Sequence, residues 1–279
     1  MPEGPEVTIV AEGLLRKLKN KEIYSINILS GSRYNKKAPD GYQDFSKSLP
    51  TRVTDIRNKG KFLYWTFENG QIMFNTLGMS GIWTSSYQKH ASIKITFVDS
   101  VIGNIGKISK TIYFVDQRHF GTIKFVSSKK ELTDKLNTIG PDLLNDKTMT
   151  FNKFKSALKK HPKWNITKAL MNQKVISGIG NYLKSESLYH SKISPHLNIE
   201  DLNDDRLYKL YQSCRLKIVS SYNQGGVSMR HFKDVDDKKG QYEFSFKVYG
   251  RKKDKKGNTI KREITADKRA TFWVPSIQF

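Results

Sequence analysis

The 279-residue chain lacks three features that define common protein classes. It contains a single cysteine, Cys214, so a disulfide framework is excluded and a reducing, intracellular location is expected. No window approaches the roughly 20 consecutive apolar residues of a membrane-spanning helix, and the first 20 residues do not resemble a signal peptide. No cysteine or histidine follows Phe232. A membrane partner is therefore not expected, and neither is a thiolate or imidazole metal site in the C-terminal segment.

Acidic residues are also scarce beside basic ones. The chain has 26 Asp plus Glu against 49 Lys plus Arg, which gives a formal net charge of +23. A hydrophobic content of 37% is too high for a disordered basic tail, and the basic residues are spread along the whole chain. The length is enough for about two domains with cores of their own. The first inference is a folded protein that binds a polyanion.

Periodicity predicts an α+β fold. Apolar residues from Val7 to Leu18 recur on one helical face, and Pro5 suits a first helical position, so a helix should start at Gly4. Strand patterns follow up to Val126, with a type I′ hairpin turn expected at Asn69-Gly70. Residues 1–140 are predicted to form a β-sandwich domain with this N-terminal helix.

The second half of the chain changes from helical to alternating patterns. Helices are predicted at 150–160, 166–172, 181–191 and 203–222, which make residues 141–240 a helical domain. Residues 241–279 are predicted to form a basic β-hairpin, with strands at 242–249, 259–265 and 271–274 and a lysine-rich turn at 251–258. Such a hairpin suits a nucleic-acid groove.

Candidate chemistry lies at the N-terminus. Removal of Met1 would leave Pro2 as a secondary amine with a pKa of about 8, which is partly unprotonated near neutrality. Such an amine can attack an electrophilic sugar carbon and form an iminium, with Glu3 and Glu6 beside the helix start to move protons. Proline and glutamate are also ordinary helix-start residues, so spacing alone leaves this open.

Five motifs resemble the Fpg/Nei family of DNA glycosylases and abasic-site lyases, in the same order along the chain. They are residues 1–7 (MPEGPEV), 58–63 (NKGKFL), 77–81 (LGMSG), 116–121 (DQRHFG) and 172–186 (NQKVISGIGNYLKSE). The last is similar to the helix-two-turn-helix element of the family. Gly4 makes the opening resemble the Nei branch more than the Fpg opening.

The C-terminal segment resembles a variant of the family. Residues 246–252 (FKVYGRK) and 268–273 (KRATFW) look like the flanks of the family's zinc finger, but the four cysteine ligands are missing. Asp254, Glu263 and Asp267 cannot replace them with thiolate or imidazole ligands. The resemblance therefore implies a zincless finger, and no cofactor is expected.

The resemblance also implies roles for individual residues. The implied catalytic residues are Pro2, Glu3, Lys61 and Arg269, with Glu6 in support. The implied DNA contacts are His90, Arg118, Asn181, Lys163 and Lys174, with Lys168 as a further outer contact. Met79, Arg118 and Phe120 would fill the void left by a flipped base. The helix that starts at Asn181 is expected to present free N–H groups to a phosphate.

The implied function is removal of oxidised bases followed by strand cleavage through β,δ-elimination. The Nei-like opening favours oxidised pyrimidines, together with ring-opened or hydantoin purines. Two alternatives stay open at this point: an Fpg-like preference for 8-oxoguanine, and a nucleic-acid-binding protein without enzyme activity. The expected partner is damaged duplex or single-stranded DNA, the expected state is a monomer, and the loop at 227–240 is implied in lesion recognition.

Overall fold

The computed structural model describes residues 2–30, 32–102, 106–227, 235–236 and 238–279. Their contacts divide the chain into two compact units. The first unit contains Pro2, residues 6–136 and the described residues of 235–240, whereas the second contains Glu3–Pro5, Asn137–Val227 and Gln241–Phe279. The predicted α+β class is confirmed. The division into three domains at 140 and 240 stays a prediction.

The first helix, α1 (Gly4–Leu18), begins where the sequence predicts. Pro5 occupies its second residue, where a missing N–H leaves no intrahelical bond unmade. One face of the helix is buried, through Val7, Val10, Ala11, Leu14 and Leu18. This apolar face, and not the polar remainder, fixes the helix on the core of the first unit.

Eight strands form the rest of that core. They are β1 (Glu22–Ile28), β2 (Thr51–Lys59), β3 (Phe62–Phe67), β4 (Ile72–Thr76), β5 (Ile82–Thr84), β6 (Ala91–Ile102), β7 (Gly106–Val115) and β8 (Thr122–Val126). Their hydrogen-bonded order is β5-β7-β6-β1-β2-β3-β4-β8. Only two residue pairs join β1 to β2, and Trp65 on β3 packs 5.1 Å from Trp83 on the distant strand β5. The two halves therefore face each other, which confirms the predicted β-sandwich.

The turn between β3 and β4 differs from the predicted type I′ turn. The Gly70 N–H donates to the Phe67 carbonyl, and Phe67 N–H donates to Gln71, so the loop has three residues. Gly70 has a φ of 82°, whereas Asn69 does not have a positive φ. A three-residue loop of this kind combines a type I turn with a left-handed glycine. The residue types were informative, but the loop length was wrong.

Two short helices of the first unit were not predicted. They are α2 (Tyr42–Lys47) and α3 (Lys129–Asn137). The second buries no residue, so it carries no apolar periodicity that sequence patterns detect. The first spans only six residues and buries Phe45 alone.

The second unit contains four helices that agree with prediction within about a residue at each end. They are α4 (Phe151–Lys159), α5 (Ile166–Met171), α6 (Asn181–His190) and α7 (Asp204–Asn223). Thr150, Asn165 and Asn203 cap α4, α5 and α7, each accepting a backbone N–H with its side chain. Their core is closed by Leu and Ile side chains that are completely buried. Within the described part of the chain, no helix has the length and apolarity needed to cross a membrane.

A two-stranded hairpin lies in the C-terminal part of this unit. Its strands are β9 (Lys261–Ile264) and β10 (Ala270–Trp273), which agree with the strands predicted at 259–265 and 271–274, and the turn between them lies at 265–269. The predicted turn within 251–258 is present as well, since the Gly257 N–H donates to the Asp254 carbonyl at 3.1 Å. The strand predicted at 242–249 is wrong, since Tyr242–Ser245 is a 3-10 helix. Tyr242 and Phe246 both pack beside Tyr182 in the helical core. Tyr242 begins the 3-10 helix and Phe246 follows its end, and together they place both rings in the core. A strand would also place residues four apart on one face, so the two structures share this feature of the sequence.

Candidate active site

The carboxylate of Glu3 lies on the N-terminus of α6. Its oxygens accept hydrogen bonds from the backbone N–H groups of Gly180 at 2.7 Å, Tyr182 at 3.0 Å and Leu183 at 3.3 Å. Glu3 is only 3% exposed. The partial positive charge at a helix N-terminus is complementary to a carboxylate, and the three donors hold the side chain in one place.

Glycines permit this close approach. A Cβ atom on Gly180 would lie 2.2 Å from Cδ of Glu3, and one on Gly4 would lie 3.0 Å from Cα of Gly178. The Gly4 N–H donates to the Gly178 carbonyl at 2.8 Å. Gly178 itself has a φ of 89°, in the left-handed region that favours glycine. Gly178 and Gly180 therefore allow residues 3 and 4 to pack closely against the start of α6.

This arrangement corrects one expectation about phosphate binding. The N–H groups of Gly180, Tyr182 and Leu183 were expected to be free for a phosphate, but they are engaged by Glu3. The side-chain amide of Asn181 is engaged as well, since its Nδ2 donates to the Ala270 carbonyl at 2.9 Å. This hydrogen bond ties the start of α6 to β10.

Arg269 belongs to the same neighbourhood. It is exposed in the turn between β9 and β10, directly before Ala270. Burial raises the pKa of Tyr249, and the charge of Glu3 raises it further. A hydrogen bond with Asn181 and the charge of Arg269 lower it. The second unit thus brings together Glu3, Asn181 and Arg269, three of the predicted site residues, and adds Tyr249.

The remaining residues of the predicted chemistry lie in the first unit. Pro2 is buried and directly precedes Glu3, and Glu6 is 1% exposed in the first turns of α1. Lys61 is partly buried in the two-residue turn between β2 and β3, after Gly60 with its φ of 55°. Asn58 links this turn to α1, because its Nδ2 donates to both Thr8 and the Gly60 carbonyl at 3.0 Å.

Two loops of the sandwich come together around Asp116, which is 2% exposed. One of its oxygens accepts from the Ser80 hydroxyl at 2.5 Å and from the Arg118 N–H at 3.2 Å. The other accepts from the Gly121 N–H at 2.6 Å. A buried carboxylate thereby joins residues 77–81 to residues 116–121.

The backbones of these loops touch. A Cβ on Gly78, whose φ is 60°, would lie 2.5 Å from the Gly121 nitrogen. Arg33 completes the frame by donating from Nη1 to the carbonyls of His119 and Gly121 at 2.8 and 2.9 Å. The loop geometry therefore depends on glycine, on Asp116 and on Arg33, and not on the side chains that the loops display.

The displayed side chains are those that the sequence singled out. Arg118 is exposed and its guanidinium lies 5.4 Å from the ring centroid of Phe120, which is 56% exposed. Met79 is partly buried on the neighbouring loop. His90 is linked to the same cluster, since its carbonyl accepts from the Asp116 N–H and its ring lies 6.4 Å from that of His119. Both histidines have a positive φ, a strained conformation typical of functional loops.

Comparisons with known proteins agree with this geometry. Family models match along the chain: the Formamidopyrimidine-DNA glycosylase N-terminal domain at residues 1–123, its H2TH domain at 139–232 and its C-terminal domain at 234–279. The formamidopyrimidine-DNA glycosylase of Rickettsia conorii is 32% identical over 254 residues, which cover 90% of this chain and 89% of the relative. That of Wolbachia sp. subsp. Brugia malayi is 30% identical over 259 residues, with the same coverage.

The chain belongs to the formamidopyrimidine-DNA glycosylase family. Members of this family are base excision repair enzymes. The fold matches MutM (Fpg) from Thermus thermophilus with a TM-score of 0.82 at 23% identity, over 99% of this chain and 98% of that one. It also matches MutM in complex with DNA containing carbocyclic 8-oxo-G, with a TM-score of 0.84 at 25% identity and 99% coverage of both chains.

The predicted outer DNA contacts lie on the surface of the second unit. Lys163 and Lys174 are exposed, and Nζ of Lys168 lies 4.4 Å from the ring centroid of Trp164. Lys174 also borders an open groove of about 390 Å³, together with Lys153, Lys160 and His161. These cations suit a non-specific grip on a polyanion.

The C-terminal hairpin does not fit structural zinc. Among the described residues, no group of three or more His, Cys, Asp or Glu is placed to hold a metal ion. The carboxylate of Asp254 instead accepts hydrogen bonds from the backbone N–H groups of Lys256 and Asn258, the side-chain amide of Asn258 and the Tyr189 hydroxyl. Val248, Ile260 and Val274 form a small buried core behind it. Hydrogen bonds and apolar packing therefore stabilise the hairpin.

Sequence reasoning missed several residues of the site. Asp116 was present in a quoted motif without a role, although an Asp that precedes a turn residue often accepts backbone N–H groups. Glu186 was missed as well: it is 0% exposed, and its Oε1 accepts from the N–H groups of Lys247, Val248 and Tyr249 at 2.9 to 3.0 Å. Arg33 carries no sequence signal. Within the loop at 227–240, which the resemblance implies in lesion recognition, residues 228–234 and 237 lie outside the described residues.

Proposed function

We propose that the protein is a bifunctional DNA glycosylase and abasic-site lyase that acts on oxidised bases in DNA, with oxidised pyrimidines preferred and ring-opened or hydantoin purines also accepted. The nucleophile is the amine of Pro2, exposed by removal of Met1. The observation that carries the proposal is the carboxylate of Glu3, fixed by three backbone N–H groups one residue from that amine.

Glu3 is in the right place for this chemistry. A carboxyl group held at a helix N-terminus can stabilise a neighbouring cation as the carboxylate and can take up and return a proton at a fixed atom. When the Pro2 nitrogen bonds to C1′, the bond from C1′ to the base breaks and the base leaves with a proton. Opening of the sugar ring gives the iminium, with the bond from C1′ to O4′ broken and O4′ protonated.

The iminium then allows strand cleavage without an added reagent. Loss of a proton from C2′ expels the 3′ phosphate, and loss of a proton from C4′ expels the 5′ phosphate. Water hydrolyses the remaining iminium and returns the Pro2 amine. Lys61 and Arg269 hold the flanking phosphates in this proposal, with Glu6 in support, while Asn181 fixes the strand that follows Arg269.

The loop pair around Asp116 supports extrusion of the damaged nucleotide. A base inside a duplex is out of reach, so the enzyme must flip it and fill the space left behind. Met79, Arg118 and Phe120 project from a frame that is fixed at the backbone level, as an inserted wedge requires. His90, Lys163 and Lys174 contact phosphates further along the DNA.

Relatives favour a second candidate for the substrate. They are named formamidopyrimidine-DNA glycosylase, and one structural neighbour was solved with DNA containing carbocyclic 8-oxo-G. An Fpg-like preference for 8-oxoguanine is therefore the competing proposal.

Borohydride trapping tests the lyase proposal. Protein with Pro2 as its first residue should form a covalent adduct with an abasic duplex, whereas protein that retains an additional N-terminal residue should not. Arg269→Ala should still be trapped, but at higher protein concentration. No adduct with correctly processed protein would contradict the enzyme proposal and leave a non-catalytic binder.

A lesion panel with thymine glycol, 5-hydroxyuracil, a hydantoin, a formamidopyrimidine and 8-oxoguanine decides between the substrates. The panel is run in duplex and in single-stranded DNA. Faster excision of 8-oxoguanine than of either pyrimidine would favour the competing candidate. Treatment with a chelator should leave incision unchanged, since the finger is proposed to fold without zinc.

A further inference from the structure

A buried ion pair joins α6 to the hairpin turn. Nζ of Lys184 lies 2.6 Å from Oδ2 of Asp267, and the two side chains are 0% and 2% exposed. Burial of two charges is costly unless further contacts compensate it, and such a pair often adds little to stability. Lys184 is also the fourth residue of α6, where the helix dipole disfavours a positive charge. A contribution to stability alone therefore does not explain the presence of this buried pair.

Asp267 organises the turn in which Arg269 lies. Its second oxygen accepts from the Thr265 hydroxyl at 2.5 Å. The Thr265 N–H donates to the Arg269 carbonyl at 3.1 Å, and the Lys268 N–H donates back to Thr265 at 2.8 Å. Lys268 has a φ of 60°, so the turn is tight and its path is defined. One carboxylate thereby connects the buried ammonium group to Thr265, which in turn is hydrogen-bonded to the backbone of Lys268 and Arg269.

The residue after Arg269 is fixed from the other direction. The Ala270 carbonyl accepts from Nδ2 of Asn181 at the start of α6. The Arg269 backbone therefore lies between two anchors that both come from the first turn of α6, Asn181 and Lys184. Arg269 itself is exposed.

Electrostatics within the second unit agree with this arrangement. Burial lowers the pKa of Lys184, and the charge of Arg269 acts in the same direction, whereas Asp267 and Glu3 raise it. The buried ammonium group therefore interacts with both the predicted proton-transfer residue and the predicted phosphate ligand.

We propose that the Lys184–Asp267 pair is a positioning element for Arg269, which holds the hairpin turn at the start of α6 so that the guanidinium group meets a DNA phosphate. The pair thus does in this chain part of what a metal ion does in a zinc finger, which is to fix a short hairpin. The inference rests on the proposed function, because it takes the phosphate contact of Arg269 from it.

The test is a double variant, Lys184→Met with Asp267→Asn. It removes one positive and one negative charge, keeps the side-chain sizes similar and leaves an oxygen for the Thr265 hydroxyl. The net charge is unchanged, so any loss of salt dependence reports a lost phosphate contact. Lys184→Met alone should lower the unfolding temperature strongly, because it leaves Asp267 buried and unpaired, whereas the double variant should fold.

The readouts are the salt dependence of affinity for an abasic duplex and the single-turnover incision rate. The double variant and Arg269→Ala should each reduce the slope of log affinity against log salt by about 0.9. Each should lower incision at subsaturating protein by about 10- to 100-fold, the effect of one charge-assisted hydrogen bond. Adding Arg269→Ala to the double variant should cause no further loss.

A matched control is Lys261→Met with Glu263→Gln, which removes a solvent-accessible pair of 2.9 Å from β9 of the same hairpin, also without a change in net charge. It should leave slope and rate unchanged. The proposal is overturned if the Lys184→Met, Asp267→Asn variant keeps the full slope and rate, or if its loss multiplies with that of Arg269→Ala.

The proposed function fails separately from this inference. Its failure appears as absence of the borohydride adduct with the unaltered protein. If the adduct forms but Arg269→Ala changes neither slope nor rate, the lyase proposal stands, whereas the phosphate contact of Arg269 and the positioning inference that rests on it are overturned.

Discussion

Replacement of Gly180 by alanine tests most directly whether the Glu3 carboxylate must lie at the N-terminus of α6. Gly180 has φ −130° and ψ −158°, an extended conformation open to any residue, so alanine creates no backbone strain there. The added methyl group would, however, lie 2.2 Å from Cδ, 2.4 Å from Oε1 and 2.6 Å from Cγ of Glu3. The carboxylate must therefore move away from the start of α6.

The loss of stability can be estimated from the hydrogen bonds that the displaced Glu3 carboxylate no longer accepts. Hydrogen bonds to a charged group contribute about 1.5 to 3 kcal/mol each. If Glu3 loses two of its three donors, the free energy of unfolding should fall by about 3 to 6 kcal/mol as an upper bound, because water compensates part of the loss. A displacement of about 1 Å of a catalytic group should lower the single-turnover rate by about 100-fold.

A double-mutant cycle with Glu3→Ala isolates the clash. Urea unfolding measures stability, and incision of an abasic duplex measures activity. In the Glu3→Ala background the methyl group meets no carboxylate, so Gly180→Ala should cost about 1 kcal/mol or less, as an N-cap change. Equal losses in both backgrounds would refute the reasoning. Gly250→Ala is the control: its φ is 72° and its Cβ would meet nothing within 4 Å, so it should lose about 1 kcal/mol of stability and no activity.

Three further predictions concern other parts of the molecule. Asp116→Asn replaces an acceptor of the Gly121 or Ser80 hydrogen bond by a donor, so incision should fall more on duplex than on single-stranded DNA, and equal losses on both would contradict the wedge role of these loops. Lys163→Gln and Lys174→Gln should each reduce the salt slope of DNA affinity by about 0.9 without changing the rate at saturating protein; an unchanged slope would remove that lysine from the interface. Hydrogen bonds, first that of the Asn258 side chain, hold the pKa of Asp254 below its usual 3.8, so its contribution is present above about pH 3.8 and is lost as the pH falls through the lower, folded-state pKa. The stability difference between the unaltered protein and Asp254→Asn should therefore shrink in urea titrations below that pH, and a constant difference would argue against the charge of Asp254.

Sequence patterns predicted the elements that bury one face and expose the other. The face from Val7 to Leu18 and the capped helices of the second unit follow from local periodicity and capping. The 3-10 helix at Tyr242–Ser245 was misread because its aromatic residues face a core that only the fold creates. Helix α3 buries nothing, so it leaves no apolar pattern.

The candidate site likewise contains residues that the sequence reveals and residues that it does not. Motifs identify the exposed side chains Arg118 and Phe120, because the chemistry they offer is visible in the sequence. The groups that hold them, Asp116 and Arg33, act through contacts 5 to 88 residues apart along the chain. The five-residue contact of Asp116 with Gly121 is within reach of a turn pattern, but the contacts of Ser80 with Asp116 and of Arg33 with Gly121, 36 and 88 residues apart, leave no local pattern. The occupation of the α6 N-terminus by Glu3, 177 residues away, is of the same kind.

The scarcity of thiols has a consequence under oxidative stress. Cys214 is 1% exposed, and burial raises the pKa of its thiol to about 12, so the reactive thiolate is absent near neutral pH. Cysteine ligands of zinc are a target of peroxides, which convert them to sulfenic acids and disulfides. In this chain Asp254, Glu186 and the Lys184–Asp267 pair hold the corresponding region through oxygen and nitrogen atoms that peroxide leaves intact. Peroxide would therefore meet no zinc-thiolate site in the described residues of this hairpin, whereas a cysteine-ligated finger offers four thiolates.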